Sequence, residues 1–227
     1  MADSRFKEAF SMTLSTMLTT MGAGMLRTCA IFFLTLLGAL PLGFVIYFAR
    51  KSKINVLSSF TKIYISIMRG TPLMLQLLVW YFGPYYLFRW SIRGYRFTAI
   101  ILGFVLNYAA YFAEIYRGGI ESMPAGQYEA AEVLGYTKTQ TFFKIILPQV
   151  IKRILPSVTN EVITLVKDTS LAFTLAYQEV FSLAKQISAS QTSFMPFLIA
   201  GIFYYIANYA VAFAMERFEK ALDYYKL

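Results

Sequence analysis

The sequence of 227 residues contains no histidine, and its one cysteine, Cys29, lies inside a long apolar stretch. No imidazole is available as a base or metal ligand, and the chain can form neither an internal disulfide nor a thiolate metal cluster. The sequence also lacks the Gly-x-x-x-x-Gly-Lys-Ser/Thr loop that cradles nucleotide phosphates. These absences argue against an enzyme, and in particular against ATP hydrolysis by this chain.

Charged residues are scarce, at 15% of the chain, whereas 58% of the residues are hydrophobic and the mean hydropathy is +0.55. This exceeds what the core of one soluble domain needs, so we expect the lipid bilayer to be the solvent. Five apolar stretches are long enough, or nearly so, to cross about 30 Å of hydrocarbon as helices. They cover residues 28–48, 63–88, 97–116, 154–177 and 194–215.

Residues 1–24 differ from these stretches. Charges of both signs near the start, with no small-residue cleavage site after a compact apolar core, give no sign of a cleavable targeting signal. Between Phe10 and Met25, large apolar residues recur at helical spacing among Ser, Thr and Gly. The pattern predicts an amphipathic helix in the membrane interface, with a sixth span as the weaker alternative.

The distribution of Lys and Arg predicts the orientation of the chain. These residues collect in the loops after the first and third stretches and in the tail, residues 217–227, so these regions are expected to be cytoplasmic and the N-terminus outside. Arg89, Arg93 and Arg96 in the second loop argue weakly against this orientation. The net charge of +9 is then mainly an orientation signal. Nucleic-acid binding is disfavoured because no long basic run or basic-aromatic platform accompanies the charge.

A polar segment, residues 126–149, interrupts the apolar stretches and has its own helix signals. Pro124 suits the first turn of a helix, and Gly135 stands where a helix would stop in the left-handed conformation. Thr137 and Gln140 have the spacing of a capping box, which predicts that a second helix starts there. The segment is therefore predicted to form a helix-turn-helix corner, and an amphipathic loop lying on the membrane surface is the alternative.

The same segment resembles the EAA loop of ABC-importer permease subunits. The matching residues are Glu129-Ala130-Ala131, Gly135 after three residues, Ile145 after nine, and Leu147-Pro148 after one. Four further stretches resemble the polar amino acid branch, of the histidine, glutamine and arginine type. They are Arg69-Gly70-Thr71-Pro72, residues 114–120, Gly126-Gln127 and residues 167–171.

This resemblance implies an all-α integral membrane protein of the type I ABC importer permease fold, with about five transmembrane helices and the N-terminal amphipathic helix. Its permease domain would cover residues 25–216, with a coupling loop at about 121–150. The implied partners are ATPase subunits that bind ATP and Mg, a second permease subunit (a copy or a paralogue) and an extracytoplasmic amino acid-binding protein. The chain itself would hold no cofactor. Coupling to the ATPase would involve Glu129, Ala130, Ala131 and Gly135.

The fourth apolar stretch carries charges that are costly in a bilayer. Glu161 and Asp168 lie seven residues apart, within about 20° of the same helix face, with Thr164 between them. This face suits an ammonium or guanidinium group, and resemblance to arginine-type permeases favours a binding site. The alternative is a structural ion pair with Lys167 or Arg69.

Arg69 and Thr71 complete the candidate substrate site, provided that the second and fourth stretches pack together. Gly70 and Pro72 are predicted to interrupt the second stretch, and interrupted membrane helices often mark transport sites. Arg69 with freed backbone N–H groups could then meet an amino acid carboxylate, whereas snorkelling of Arg69 to the headgroups is the alternative. Glu114 and Arg117, three residues apart, are predicted to form an ordinary helical pair.

Two other classes of protein fit the sequence less well. A stand-alone secondary carrier would usually show internal repeats and more spans, so five spans without a repeat count against it. A membrane enzyme that uses Glu161 and Asp168 as an acid-base pair on a lipid is more distant. Our prediction is a membrane permease subunit of an ATP-driven importer of a polar amino acid, with a cationic one favoured.

Overall fold

The computed structural model describes residues 14–222, whose regular secondary structure is helical throughout. Helix α1 spans Leu14–Arg50, α2 Asn55–Gly70, α3 Leu73–Phe88 and α4 Arg96–Glu121. The short helices α5, Ala125–Val133, and α6, Lys138–Gln140, precede a π-helical segment, Thr141–Ile146, and α7, Leu147–Asp168. A 3-10 helix, Thr169–Leu175, leads to α8, Val180–Gln191, and α9, Met195–Ala221. The predicted all-helical class is confirmed.

Three of the described helices, α1, α4 and α9, are each long and apolar enough to cross a membrane. Helices α2 and α3 meet this criterion only as a pair, which is bent by 114° at its break. Helix α7 does not meet it, because charged residues such as Glu161, Lys167 and Asp168 lower its hydropathy. Length and composition therefore support three or four of the five predicted spans, and the span at residues 154–177 stays a prediction.

The break between α2 and α3 lies where the sequence predicts an interruption. Helix α2 ends at Gly70, Thr71 is extended with φ −121° and ψ 148°, and α3 begins at Leu73. A proline ring collides with the preceding residue when that residue is helical, so Pro72 favours the extended conformation of Thr71. The predicted interruption is confirmed, and it has a local cause.

Helix α1 continues through residue 24, where we expected an interfacial helix to give way to the first span. Its 37 residues form one helix, in which Met17 and Met21 are already buried. No proline occurs before Pro41, and tertiary packing around the two methionines extends the helix toward the N-terminus. The rest of the predicted N-terminal segment, before Leu14, lies outside the described residues, as does the end of the tail after residue 222.

The described chain divides into two compact units. The first unit contains residues 14–34, 73–103 and 165–209, and in it α3 packs against the 3-10 helix. A separate part of its core joins α1, α8 and α9 through buried Met21, Val180 and Ile199. This unit therefore assembles from three parts of the chain that are distant in sequence.

The second unit contains residues 35–72, 104–164 and 210–222, and it includes the polar corner. Helix α4 supplies a ladder of buried rings, in which Phe104 stacks on Tyr108 and Phe112 on Tyr116, with interplanar angles of 15° and 19°. The Tyr116 hydroxyl donates to the backbone carbonyl of Leu40 on α1, at 3.2 Å. The aromatic face of α4 is thus a fixed support for the neighbouring helices of this unit.

Candidate functional site

Helix α5 and the residues after it form the first arm of the predicted corner. The Gly135 N–H donates to the carbonyl of Glu132 at 2.9 Å, and the Tyr136 N–H donates to that of Ala131 at 3.0 Å. This pair of bonds is a Schellman motif, which needs a left-handed residue after the helix. Gly135 has φ +76° and supplies it. The predicted stop at Gly135 is confirmed.

The second arm begins with the predicted capping box. The Thr137 hydroxyl accepts from the Gln140 N–H at 3.3 Å, and the Gln140 side chain accepts from the Thr137 N–H at 2.9 Å. The helix then widens into the π-helical segment and continues past Pro148 into α7. We did not predict this segment. The Leu147 N–H reaches back to the Phe142 carbonyl just before Pro148, which has no N–H to donate. We call residues 124–148 the corner.

Two apolar side chains lie exposed at the turn of the corner. Val133 is 88% exposed and Leu134 72% exposed, within a segment that is otherwise polar. Between the arms, a cavity of about 400 Å³ is lined by Tyr128, Tyr136 and Phe142, among others. The corner therefore offers an apolar tip and an aromatic recess. Sequence reasoning missed the tip, although two aliphatic residues directly before a helix-stopping glycine were the available signal.

The residues of the EAA pattern divide between surface and interior. Glu129 and Ala130 are exposed, whereas Ala131 is buried at 1% exposure. Helix α5 packs against the π-helical segment, so the small side chain of Ala131 permits contact between the arms of the corner. Within this chain Ala131 contributes to the shape of the corner, and Glu129 and Ala130 contribute to its surface.

Three contacts hold together the parts of the second unit that lead into and out of the corner. The Arg153 guanidinium donates to the carbonyl of Ser122, at 2.7 Å, and the Gln149 amide donates to the Gln127 side chain at 3.3 Å. Helices α4 and α7 also meet at Gly119, where an added Cβ would lie 2.1 Å from Cγ2 of Ile154. The helices on either side of the corner, α4 and α7, are thus held to each other, and Gln127 of the corner is bonded to α7.

Helix α7 carries the predicted carboxylates. Glu161, Thr164 and Asp168 are all partly buried, and the adjoining stripe of Val162, Leu165 and Val166 is fully buried. Asp168 is the last residue of α7, and the backbone tightens into the 3-10 helix directly after it. The helical spacing of the three polar residues agrees with the sequence, while their role in binding remains untested.

Arg69 lies in a group of charges that we did not predict. Its Nη1 is 3.9 Å from Oε1 of Glu114, and its guanidinium lies 5.3 Å from the ring centroid of Tyr111. Glu114 also accepts hydrogen bonds from Arg50 of α1 and from Arg117, whose Nε is 2.9 Å away. We call these four charged residues the arginine hub. The predicted helical pair of Glu114 and Arg117 is confirmed, but it is part of this larger group.

Thr71 is the remaining predicted substrate residue, and its hydroxyl donates to the carbonyl of Ile67 at 2.8 Å.

Near the hub, Glu121 pairs with Arg117 and, at 3.6 Å, with Lys51. Arg50 and Glu114 are 64 positions apart, so no local pattern could have revealed their contact. Arg69 is thus already engaged by a carboxylate and a ring in the described structure.

Glu179 in the first unit is a buried acidic residue that sequence reasoning also missed. Its carboxylate caps α8 by accepting from the N–H groups of Phe181, at 2.7 Å, and Ser182, at 2.6 Å. The Tyr204 hydroxyl donates to the same carboxylate at 2.9 Å. Since the side chain is 0% exposed, Glu179 has a structural role that ties α8 to α9. Its position directly before an apolar run was the only sequence signal.

Comparison with known proteins adds family information to this geometry. Residues 39–224 match the family described as binding-protein-dependent transport system inner membrane component. The chain is 37% identical over 182 residues to the probable amino-acid permease protein YxeN of Bacillus subtilis (strain 168), covering 80% of this chain and 81% of the relative. It is 38% identical over 188 residues to the octopine transport system permease protein OccM of Rhizobium radiobacter, covering 80% and 77%.

Solved structures of ABC transporters are also similar to this chain. The crystal structure of an amino acid ABC transporter with histidines superposes with a TM-score of 0.83 at 29% identity, covering 93% of this chain and 99% of that one. An inward-facing structure of the MetNI methionine ABC transporter superposes with a TM-score of 0.74 at 20% identity, covering 93% and 99%. At that identity, the second match supports the fold alone.

Proposed function

Because the chain belongs to the family of binding-protein-dependent transport system inner membrane components, we propose that it couples a separate ATPase to the import of a polar amino acid. The observation that carries the proposal is the corner. It has the EAA pattern, a rigid turn at Gly135 and an exposed apolar tip. The helices that flank it, α4 and α7, are held together by Arg153 and by the contact at Gly119.

The corner suits the docking of an ATP-binding subunit. The aliphatic tip, Val133 and Leu134, would enter an apolar groove of the partner, and Glu129 would form charge-assisted hydrogen bonds at its rim. Closure of the ATPase around nucleotide would then move the corner as a body. Motion at the corner would reach α7, which carries Glu161 and Asp168.

Co-purification tests this docking. A tagged full-length chain should retain its ATPase through detergent extraction, and the double change Val133→Asp, Leu134→Asp should abolish that retention. The matched control is Phe218→Asp on α9, since Phe218 is also exposed, at 64%, but lies away from the corner in sequence. Full retention by the double variant, or equal loss in the control, would contradict docking at the tip.

We assign the substrate to the polar amino acids. Amino acids are the cargo named for YxeN and for the solved amino acid ABC transporter. Among the polar amino acids, a cationic one fits the two carboxylates of α7 best, because Glu161, Thr164 and Asp168 present acceptors on one helix. The exposed part of the Arg69 guanidinium and the backbone at the break beside Thr71 would offer groups for the α-carboxylate, although Arg69 also lies 3.9 Å from Glu114.

Isosteric substitutions test the carboxylates. Glu161→Gln and Asp168→Asn keep the shape of the side chains and remove the charge. Loss of one charged hydrogen bond costs about 1.5 to 3 kcal/mol, so uptake of labelled arginine by the reconstituted complex should fall at least tenfold, while glutamine uptake changes little. Near-native uptake of both amino acids would show that the carboxylates are structural.

We also propose partners other than the ATPase. A single chain with few spans does not enclose a pathway, so we assign it a second permease subunit, either a copy or a paralogue, together with an extracytoplasmic binding protein. Helix α9 remains largely exposed, which leaves an apolar face for lipid or for the second permease.

We place the N-terminus outside and the corner and C-terminus in the cytoplasm of a bacterial-type inner membrane. The mass of the purified complex and protease protection of tagged termini test these assignments.

A further inference from the structure

The first unit contains a cavity that the transport proposal does not use. It measures about 830 Å³ and lies where α3, the loop after it and the start of α4 meet. Its walls are mainly aromatic, with Tyr81, Tyr85 and Phe97 among them, and Arg93 and Arg96 lie at its polar end. The ring of Phe97 stacks on Tyr177, also in the wall, with a centroid distance of 5.6 Å.

This end of the first unit has positive charge without matching negative charge. Arg27 and Arg96 donate to backbone carbonyls, of Gln178 at 2.8 Å and Ala176 at 3.1 Å, and these neutral partners do not balance their positive charge. Within residues 14–222, the Arg93 side chain makes no ion pair and no hydrogen bond, although it lines the cavity. The positive charge at this polar end therefore favours the binding of an anion.

The carboxylates of the first unit do not supply that anion. The described part of the unit contains two carboxylates, Asp168 and Glu179. Glu179 is buried and engaged by two backbone N–H groups and Tyr204. Asp168 ends α7, and neither carboxylate lines the cavity.

An apolar groove continues from the aromatic cavity. A second cavity of about 360 Å³ is lined by Leu78, Val79, Phe82, Gly83 and Tyr86. Phe82 and Tyr86 line both cavities, so the two are contiguous. The groove follows α3, a helix that carries no charged residue from Leu73 to Phe88. The combined space has a cationic aromatic end and an apolar end.

We propose that this combined space binds an anionic phospholipid. The phosphate would meet Arg93 and Arg96, the glycerol would lie among the tyrosine rings, and an acyl chain would occupy the groove along Leu78 and Val79. Arginine suits a phosphate because its planar fork donates two parallel hydrogen bonds. A free anion would fill the polar end alone and leave the groove unused, so a lipid accounts for both parts of the cavity.

The chain provides its own reporter for this site. Its two tryptophans, Trp80 on α3 and Trp90 in the following loop, both lie in this region of the sequence. Acyl-brominated lipids quench tryptophan fluorescence on contact. The full-length chain reconstituted in phosphatidylcholine vesicles, titrated with brominated phosphatidylglycerol or brominated phosphatidylcholine, therefore yields the relative binding constant of the two lipids.

For the native chain we expect the anionic lipid to bind about fivefold more tightly per engaged guanidinium. Arg93→Gln should lower this preference for the anionic lipid about fivefold, whereas Arg93→Lys should retain most of it. Arg93→Glu should lower the preference more than Arg93→Gln does. Arg217→Gln is the matched control, because Arg217 is a cation stacked on Phe213 of α9 and lies outside the first unit. Glycerol 3-phosphate should not displace the brominated lipid.

Three results would overturn the proposal. The native chain could show equal binding of the two lipids, or Arg93→Gln could keep the native preference. Displacement by millimolar glycerol 3-phosphate would instead show a site for a free anion. Since Arg93 makes no contact that the fold requires and the competition uses the native chain, misfolding of a variant does not decide the outcome.

Discussion

The corner and the arginine hub both belong to the second unit, but they are built in different ways. The corner is closed by bonds between residues at most five positions apart, such as those around Gly135 and between Thr137 and Gln140. The hub joins α1, α2 and α4, with Arg50 and Glu114 separated by 64 positions. Local bonds set the shape of the corner, whereas the hub and the helix contact at Gly119 require the tertiary fold.

This difference implies two kinds of mutational effect. Changes at long-range contacts should lower the stability of the whole permease. Changes within the corner should leave the permease folded and weaken the coupling between substrate-stimulated ATP hydrolysis and transport. Four substitutions, taken from the largest expected effect to the smallest, test this division.

Gly119→Ala should have the largest effect. The new Cβ would lie 2.1 Å from Cγ2 of Ile154, so the Ile154 side chain must leave its position or α4 and α7 must separate, at a cost of up to about 3 kcal/mol. We expect a clear fall in the thermal unfolding midpoint of the purified complex and loss of transport. Gly118→Ala is the matched control, because a Cβ at Gly118 meets nothing within 4 Å. Equal midpoints for the two variants would refute the close helix contact.

Glu114→Gln removes the carboxylate at the centre of the hub. Arg50, Arg69 and Arg117 would then lie together without it, and loss of charged hydrogen bonds costs about 2 kcal/mol. The unfolding midpoint should fall, and more so at low salt, where repulsion between the guanidiniums is less screened. The exposed pair of Glu216 and Lys220 supplies a control, and Glu216→Gln should change the midpoint little. If the unfolding midpoint of Glu114→Gln were native-like and independent of salt, the hub would not contribute to stability.

Gly135→Val tests the corner directly. Gly135 has φ +76° and free space around it, so the strain comes from the backbone and amounts to about 1 to 2 kcal/mol. The chain should reach the membrane and keep its unfolding midpoint to within a few degrees, while transport falls. Gly135→Asn should retain transport better, since asparagine tolerates this conformation. Normal substrate-stimulated ATP hydrolysis in the valine variant would count against the coupling role.

Thr137→Ala should have the smallest effect of the four. It removes one bond of the capping box, at a cost of about 1 kcal/mol that is confined to the start of the second arm. Coupling efficiency, measured as amino acid transported per ATP hydrolysed, should fall modestly. Because Thr137 and Gln140 act as a pair, Gln140→Ala added to Thr137→Ala should cost less than the sum of the single changes. Strict additivity would show that the box does not act as a unit.

The sequence predicted those features that depend on near neighbours. The Gly135 stop, the Thr137 capping box and the break at Pro72 each follow from the conformational preferences of one or two residues, and all three are confirmed. The candidate substrate residues Glu161 and Asp168 could be placed on one helix in the same way. Their function could not be derived from spacing, because it depends on what faces them across the assembly.

Other features were missed because their causes are not local. Glu114 is paired by its spacing with Arg117, but the approach of Arg50 and Arg69 depends on the packing of α1 and α2. Glu179 is stabilised by Tyr204, 25 positions away. The extension of α1 to Leu14 likewise reflects burial of Met17 and Met21 against α8 and α9.

The π-helical segment between the corner and α7 has a geometric consequence for the carboxylates. A π-turn holds about one residue more than an α-turn, and each residue of an α-helix turns by about 100°. The segment Thr141–Ile146 therefore sets the angular register of everything after Leu147 relative to the corner. If one residue were deleted there and the helix became regular, Glu161 would rotate by about 100° away from its present face. The direction in which α7 presents Glu161 is thus set by one extra residue located 15 to 20 positions earlier in the chain.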